Sequence, residues 1–343
     1  TYRLDLDIEE DVAEEVGRIY GFDNIPSTMP KGSAEVGGRT KEQTIRDITK
    51  KTLNSMGLYE ILTYSFISPE WLDKIRLGDN SIRRNFVPLL NPLGDETSAM
   101  RTSLLPNLLE VMKRNYNRKV DVFRAFELGR IFIPKANKPY KLPNELLNLA
   151  IGLYGTEEDF YTLKGRVETL LLTLGIKNYH FVVEKYHPSY HPGRCGNIVC
   201  GDHIIGTLGE LHPSVIDNYD IGNKCYCAEL DFELIMDLSQ LGRQYKPLPK
   251  YPAIVRDFAV VIDKKVLVKE IESIIRDEGK DILESYQLFD IYEGDQIAQG
   301  YKSVAYTITY RHESRTLKDE EANDLHDKIV NKIKDELGGI LRD

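Results

Sequence analysis

Downstream of Pro252 the spacing of apolar residues changes period in a fixed order, and that order restricts the possible folds more than any other feature of the chain. Asp257 to Ile262 alternates apolar and polar side chains, as a half-buried strand does. Val268, Ile271, Ile274 and Ile275 then fall on one face of a helix. Leu283 to Tyr292 and Lys302 to Tyr310 alternate again, joined by a turn around Gly294-Asp295. Ala322, Leu325, Ile329, Ile333 and Leu337 stripe a long last helix. Thr316 opens it, with Asp319 three residues on in capping-box spacing. Gly338-Gly339 ends this helix, and Ile340-Leu341 can return as a strand.

The order is βαββαβ. Two right-handed crossovers then lay one antiparallel sheet against two helices on a single face. This is the pattern of a ferredoxin-like domain, an arrangement that serves many functions. Along its third strand Lys302, Val304, Tyr306, Ile308 and Tyr310 share one face, and Ser303, Ala305, Thr307 and Thr309 the other. Either face could be the one turned to the helices.

Upstream, Leu4, Leu6 and Ile8 alternate as in a strand, and Val12, Val16 and Ile19 recur at helical spacing up to Gly21. A polar, glycine-containing linker runs from Lys31 to Thr40. Helices are expected over Glu42–Met56, Leu104–Tyr116 and Leu163–Leu174, and strands over Ile61–Ile67, Phe86–Leu90 and Val120–Ile133, with a turn at Asn91-Pro92-Leu93-Gly94. Short strands and turns fill Tyr179 to Leu230. Pro247, Pro249 and Pro252 mark a second linker from Tyr245 to Pro252.

The 343 residues suffice for two or three domains. A 41% hydrophobic and 29% charged composition is that of a globular chain, and no run approaches the roughly 20 apolar residues of a membrane span. The polar, acidic start, Thr1 to Asp11, has neither signal-peptide nor transit-peptide character. Cys195, Cys200, Cys225 and Cys227 lack a paired zinc spacing, so free thiols in a reducing cytoplasm are expected. His187 and His191 near Cys195 and Cys200 fit no common zinc pattern, and a Cys195–His191 nucleophile lacks an orienting third group. A net charge of −9 argues against binding nucleic acid over the whole surface.

Several runs carry a more specific signal. They are residues 5–26, then Asn91-Pro92-Leu93, Met100-Arg101-Thr102-Ser103-Leu104-Leu105-Pro106 and Phe126-Glu127-Leu128-Gly129-Arg130. His191-Pro192-Gly193-Arg194 and Gly206-Thr207-Leu208-Gly209-Glu210-Leu211-His212-Pro213 follow, then Tyr251-Pro252, Arg256-Asp257 and Arg315-Thr316-Leu317. In this order they resemble the C-terminal portion of the bacterial-type phenylalanyl-tRNA synthetase β subunit. The resemblance implies an α+β chain in three parts. Residues 1–30 would end a B5-type domain and 31–246 would form a class II synthetase-like antiparallel sheet core. Residues 247–343 would be a ferredoxin-like anticodon-binding domain. Further domains precede this portion in the family, so Thr1 is expected to lie inside a domain.

The same resemblance implies a non-catalytic subunit that supports an α subunit in an (αβ)₂ heterotetramer, binds tRNA(Phe), and leaves ATP to the α subunit. An active class II strand carries Arg and Glu two residues apart, which puts both on one face. Arg124 and Glu127 are three apart, and Glu210 stands where an arginine would neutralise phosphate. No catalytic residue is therefore expected. The helix Glu42–Met56 and strand Ile61–Ile67, with Met56 and Leu58, occupy the place that would face the α subunit. Arg101 is expected to pair with a carboxylate in the core or at that interface. Two alternatives are a single-chain organellar-type synthetase and a non-enzymatic RNA-binding or assembly module.

Two sets of side chains are candidate sites. Asp11, Glu14 and Glu15 lie within one helical turn, and Asp5 can approach them. Hard carboxylate oxygens suit Mg²⁺, though acidic residues at a helix start also favour the macrodipole. The resemblance implies a magnesium site at these four positions. Arg256, Arg311 and Arg315 rim the last domain and are expected to meet tRNA phosphates, the alternative being pairs with Asp257, Glu313 or Asp319.

Overall fold

A computed structural model of the chain describes residues 2–32, 37–135, 142–242, 245, 247–294 and 296–342. The turn expected at Asp295 and the middle of the 31–40 linker lie outside the described residues. The chain forms two compact units, Thr1–Arg243 and Gln244–Asp343.

The first unit runs α1 (Glu9–Tyr20), α2 (Lys41–Ser55), β1 (Tyr59–Glu60), β2 (Phe66–Ile67), α3 (Glu70–Lys74), β3 (Ala99–Met100), α4 (Leu105–Asn117), β4 (Phe123–Ile133) and β5 (Asn144–Tyr154). It continues through α5 (Phe160–Thr173), β6 (Tyr179–Val183), β7 (Tyr190–Cys200), β8 (His203–Leu211), α6 (Pro213–Asn218), β9 (Cys225–Asp231) and α7 (Phe232–Leu238). Seven strands make one sheet in the order β1-β4-β5-β9-β8-β7-β6. All neighbours are antiparallel except β1, which joins β4 in parallel, so the expected antiparallel sheet is mixed at its edge.

Both faces of this sheet are covered. Leu53 of α2, Leu170 of α5 and Phe232 of α7 pack on one face against Phe126 and Leu149. Leu72 of α3, Leu108 and Met112 of α4 and Val215 of α6 pack on the other, against Ala150 and Tyr154. That double cover is why β5 escapes recognition in the sequence. From Leu147 to Tyr154 every residue is buried, so the period-two alternation of a half-exposed strand is missing.

Three expected strands differ. Leu4 to Ile8 is not a strand; it leads into α1, and the Asp11 carboxylate accepts the Asp7 and Ile8 N–H groups at 2.9 and 3.0 Å. The stretch Ile61–Ile67 reaches the ladder only at Phe66–Ile67, which pairs with β3. Phe86–Leu90 contributes a single bridge, Pro88 to Ala99, flanked by the Met100 N–H donating to the Val87 carbonyl and the Leu89 N–H donating to the Ser98 carbonyl, both at 2.9 Å.

The second unit follows the anticipated order: β10 (Ile254–Asp263), α8 (Val268–Gly279), β11 (Leu283–Tyr292), β12 (Tyr301–Tyr310), α9 (Asp319–Leu337) and β13 (Ile340–Leu341). Its antiparallel sheet is ordered β11-β12-β10-β13. Val304, Tyr306, Ile308 and Tyr310 face α8 and α9, where they meet Ile271, Ile275, Ile329 and Ile333. The aromatic face is therefore core, and the small-residue face is the one turned away. Gly338 stops α9 in the left-handed region at φ 66°. Thr316 does not cap this helix. Lys318 holds the N-cap position, and the Glu321 carboxylate accepts its N–H at 3.0 Å.

Candidate functional site

On β4 the three-residue spacing sends Arg124 and Glu127 to opposite faces of the sheet. Glu127 is 1% exposed and Arg101 3% exposed, and the Arg101 guanidinium meets the Glu127 carboxylate at 2.7 Å. The Thr63 hydroxyl accepts from Arg101 at 2.8 Å and donates to Glu127 at 2.7 Å, and Arg101 Nε donates to the Arg130 carbonyl at 2.8 Å. Arg101 Nε and Nη1 and both Glu127 carboxylate oxygens thus have partners inside the protein, as a buried ion pair requires. On the other face Arg124 joins Arg166 around the buried Glu158. On β8, Glu210 is buried and held by Arg194 at 2.7 Å. None of these carboxylates or guanidinium groups is left as the paired phosphate grip of an active class II strand.

The edge of the unit next to β1 is apolar. Leu58, expected at a subunit contact, is 3% exposed and belongs to the core. Tyr59, Leu62 and Tyr64, just beyond it, are 78%, 83% and 76% exposed. Three large side chains are thus exposed within six residues of the chain.

The acidic set is engaged otherwise than expected. Asp5 pairs with Arg3 at 2.6 Å, and Glu15 sits between Arg3 at 2.8 Å and Arg18 at 2.6 Å. The guanidinium hydrogen bonds hold both carboxyls down at about 2. Asp11 is spent on the two amides that precede α1. Among the described residues no three His, Cys, Asp or Glu side chains converge to hold an ion. As arranged here, Asp5, Asp11, Glu14 and Glu15 do not fit a divalent cation. Titrating the chain with Mg²⁺ is expected to give the same heat as a Glu14→Gln, Glu15→Gln variant. Heat that disappears in the variant would restore the cation.

Cys195 is buried, and desolvation pushes its thiol up to about 12, which removes it as a nucleophile at neutral pH. The His191 ring is occupied in accepting the Gly193 N–H at 3.1 Å.

In the second unit each of the three rim arginines already has partners. Arg256 binds Asp319 at 2.8 Å and Asn323 at 2.9 Å, and Arg311 binds Glu284 at 2.9 Å and the Tyr251 carbonyl. Arg315 grips Glu321 with two bonds of 2.7 Å, and this holds the Glu321 carboxyl down at about 2. A different group stands on the small-residue face. The Arg342 guanidinium lies over the Tyr292 ring, 5.4 Å from its centroid, and donates to Gln296 at 2.8 Å. Phe289, at a bulge in β11 where the register shifts between Leu288 and Asp290, is 55% exposed. The adjacent apolar pair Leu288-Phe289, which breaks the alternation, is the sequence sign of that bulge.

Residues 25–232 match the family described as "Phenylalanyl tRNA synthetase beta chain CLM domain". The chain belongs to the phenylalanyl-tRNA synthetase β-chain family. Residues 249–342 match the "Ferredoxin-fold anticodon binding domain". The phenylalanine–tRNA ligase β subunit of Clostridium tetani is 44% identical over 342 residues, which cover 100% of this chain and 43% of that protein. The β subunit of Clostridium acetobutylicum is 42% identical with the same coverage. The chain thus spans less than half the length of these β-chain relatives. Among solved structures, a pyrrolysyl-tRNA synthetase from Desulfitobacterium hafniense covers 66% of the chain at a TM-score of 0.48 and 16% identity, too slight a likeness to argue from.

Proposed function

We propose that this chain is the portion of a phenylalanyl-tRNA synthetase β subunit that supports aminoacylation without performing it. The first unit seats a catalytic α subunit within an (αβ)₂ enzyme, and the second binds tRNA(Phe). ATP, with the Mg²⁺ that accompanies its phosphates, is used on the α subunit. The fate of Glu127 supports this reading most directly: it is sealed in an ion pair with Arg101, on the opposite face from Arg124. An adenylate-forming site needs its charged groups free to meet phosphate as charge develops. Purified alone, the chain is expected to give no phenylalanine-dependent exchange of pyrophosphate into ATP. Addition of the α subunit to the whole β subunit restores exchange. Exchange by the chain alone would sink the proposal. The α subunit is assigned to the edge of Tyr59, Leu62 and Tyr64, so Leu62→Asp should weaken its association while the fold survives.

For tRNA, Phe289, Tyr292 and Arg342 offer a stacking surface beside small residues that let a base approach. In the whole enzyme Tyr292→Ala is expected to weaken tRNA binding by about 1–3 kcal/mol with little salt effect. Arg342→Ala should also flatten the salt dependence by roughly 0.7–0.9 of an ion. Losses at Arg256→Ala, Arg311→Ala and Arg315→Ala that match these would move the contact back to the rim.

A further inference from the structure

The first unit holds a cavity of about 380 Å³ on the sheet face that α4 covers. Leu105, Ile131, Leu146 and Ile204 form an apolar wall. Arg83, Glu229, His187 and Tyr190 gather at a polar end. Glu229 is deeply set; it accepts from Ser103 Oγ at 2.8 Å, the Leu104 N–H at 3.0 Å and Asn148 Nδ2 at 3.3 Å. Arg83 stands 3.5 Å from Glu229, beyond a good hydrogen bond, with only Nη1 engaged, on the Thr102 carbonyl at 2.6 Å. Its Nε–Nη2 edge, the fork that matches a carboxylate, has no partner among the described residues.

Two buried groups at the same end are incompletely used. The Tyr190 hydroxyl, on a residue 2% exposed, has no hydrogen-bond partner. His187 accepts the Ser189 N–H through Nδ1 at 3.3 Å, and burial lowers its pKa, which keeps the ring neutral. The His187 and Tyr190 rings meet edge to face with centroids 4.8 Å apart, and both residues line the cavity together with Arg83 and Glu229. An unpartnered buried hydroxyl is costly, and this one sits in the packed core directly beside the cavity that Tyr190 helps to line.

We propose that this cavity binds a small zwitterion with an apolar tail, of the class of the aliphatic α-amino acids. Its carboxylate docks on the free edge of Arg83, its ammonium faces Glu229, and its side chain lies against the apolar wall. An ion of one sign would satisfy Arg83 or Glu229 and oppose the other. A zwitterion complements both across one carbon atom. None of its residues belongs to the α-subunit edge or to the tRNA surface proposed above, so it stands or falls independently of them.

Calorimetric titration of the 343-residue chain with L-leucine tests the proposal, alongside 3-methylbutylamine, which lacks the carboxylate, and 4-methylpentanoate, which lacks the amine. Leucine is expected to bind with a Kd on the order of millimolar or tighter, and each analogue about tenfold or more weakly. Arg83→Met should weaken leucine to the level of the amine. Ile204→Trp, at a 57% exposed position of the apolar wall, should block binding while thermal unfolding stays unchanged. The proposal is overturned by an absence of leucine binding, by amine binding equal to leucine, or by undiminished binding in Ile204→Trp.

Discussion

Arg101→Ala is expected to lower the unfolding free energy of the first unit by about 3–5 kcal/mol, the usual cost of stripping one partner from a buried ion pair. The carboxylate of Glu127 would remain 1% exposed with only Thr63 to answer it. Four other contacts go at once, because the same guanidinium also bonds Thr63, the Tyr64 and Arg130 carbonyls, and lies against Gly129. Trp71, the only tryptophan, lies in the first unit and packs beside its core, so its fluorescence in urea reports this unit. The double variant Arg101→Met, Glu127→Leu should recover most of the loss, since a matched apolar pair removes the stranded charge. A single-variant loss under about 1 kcal/mol would mean that water reaches Glu127 and that the pair behaves like a surface one.

Gly175→Ala should cost about 2–5 kcal/mol, from a left-handed backbone and overpacking together. Gly175 follows α5 at φ 77°, and its N–H donates to the Leu172 carbonyl at 3.1 Å while Ile176 N–H donates to Leu171 at 2.9 Å. A Cβ there would overlap the Gln240 carbonyl oxygen. Gln240 cannot retreat freely, because its N–H is bonded to the Leu174 carbonyl at 2.9 Å. Gly201, at φ 57° with open space around its would-be Cβ, provides the control. Gly201→Ala should cost only the backbone part, about 1–2 kcal/mol. Equal midpoint shifts in the two variants would show that the Gln240 contact relaxes and that backbone strain alone matters.

The two units differ in how far the sequence reveals them, and the cause is the number of covered faces. The second unit has helices on one side of its sheet, so β10 and β12 keep a readable alternation, β11 keeps one on either side of its Leu288-Phe289 bulge, and the βαββαβ order follows from periodicity. In the first unit helices cover both faces. The strand β5, in the interior of that sheet between β4 and β9, left no alternation from Leu147 to Tyr154 to find.

Side-chain roles divide along the same line between local and distant contacts. The three-residue interval between Arg124 and Glu127 was enough to place them on opposite faces, since a strand alternates whatever surrounds it. Their partners, Glu158 and Arg101, came only from tertiary packing. Arg256, Arg311 and Arg315 were visible as charges, but whether a charge is free depends on which carboxylate the fold brings beside it. Asp319, Glu284 and Glu321 took all three. Asp5 and Glu15 were likewise legible as acidic, but only the fold shows Arg3 beside both. Tyr292 of β11 and Arg342, the residue after β13, are far apart in the chain and meet over one face only in the folded sheet, whose strand order is β11-β12-β10-β13. Periodicity and spacing depend on the chain alone, whereas pairing depends on the positions of residues far apart in it.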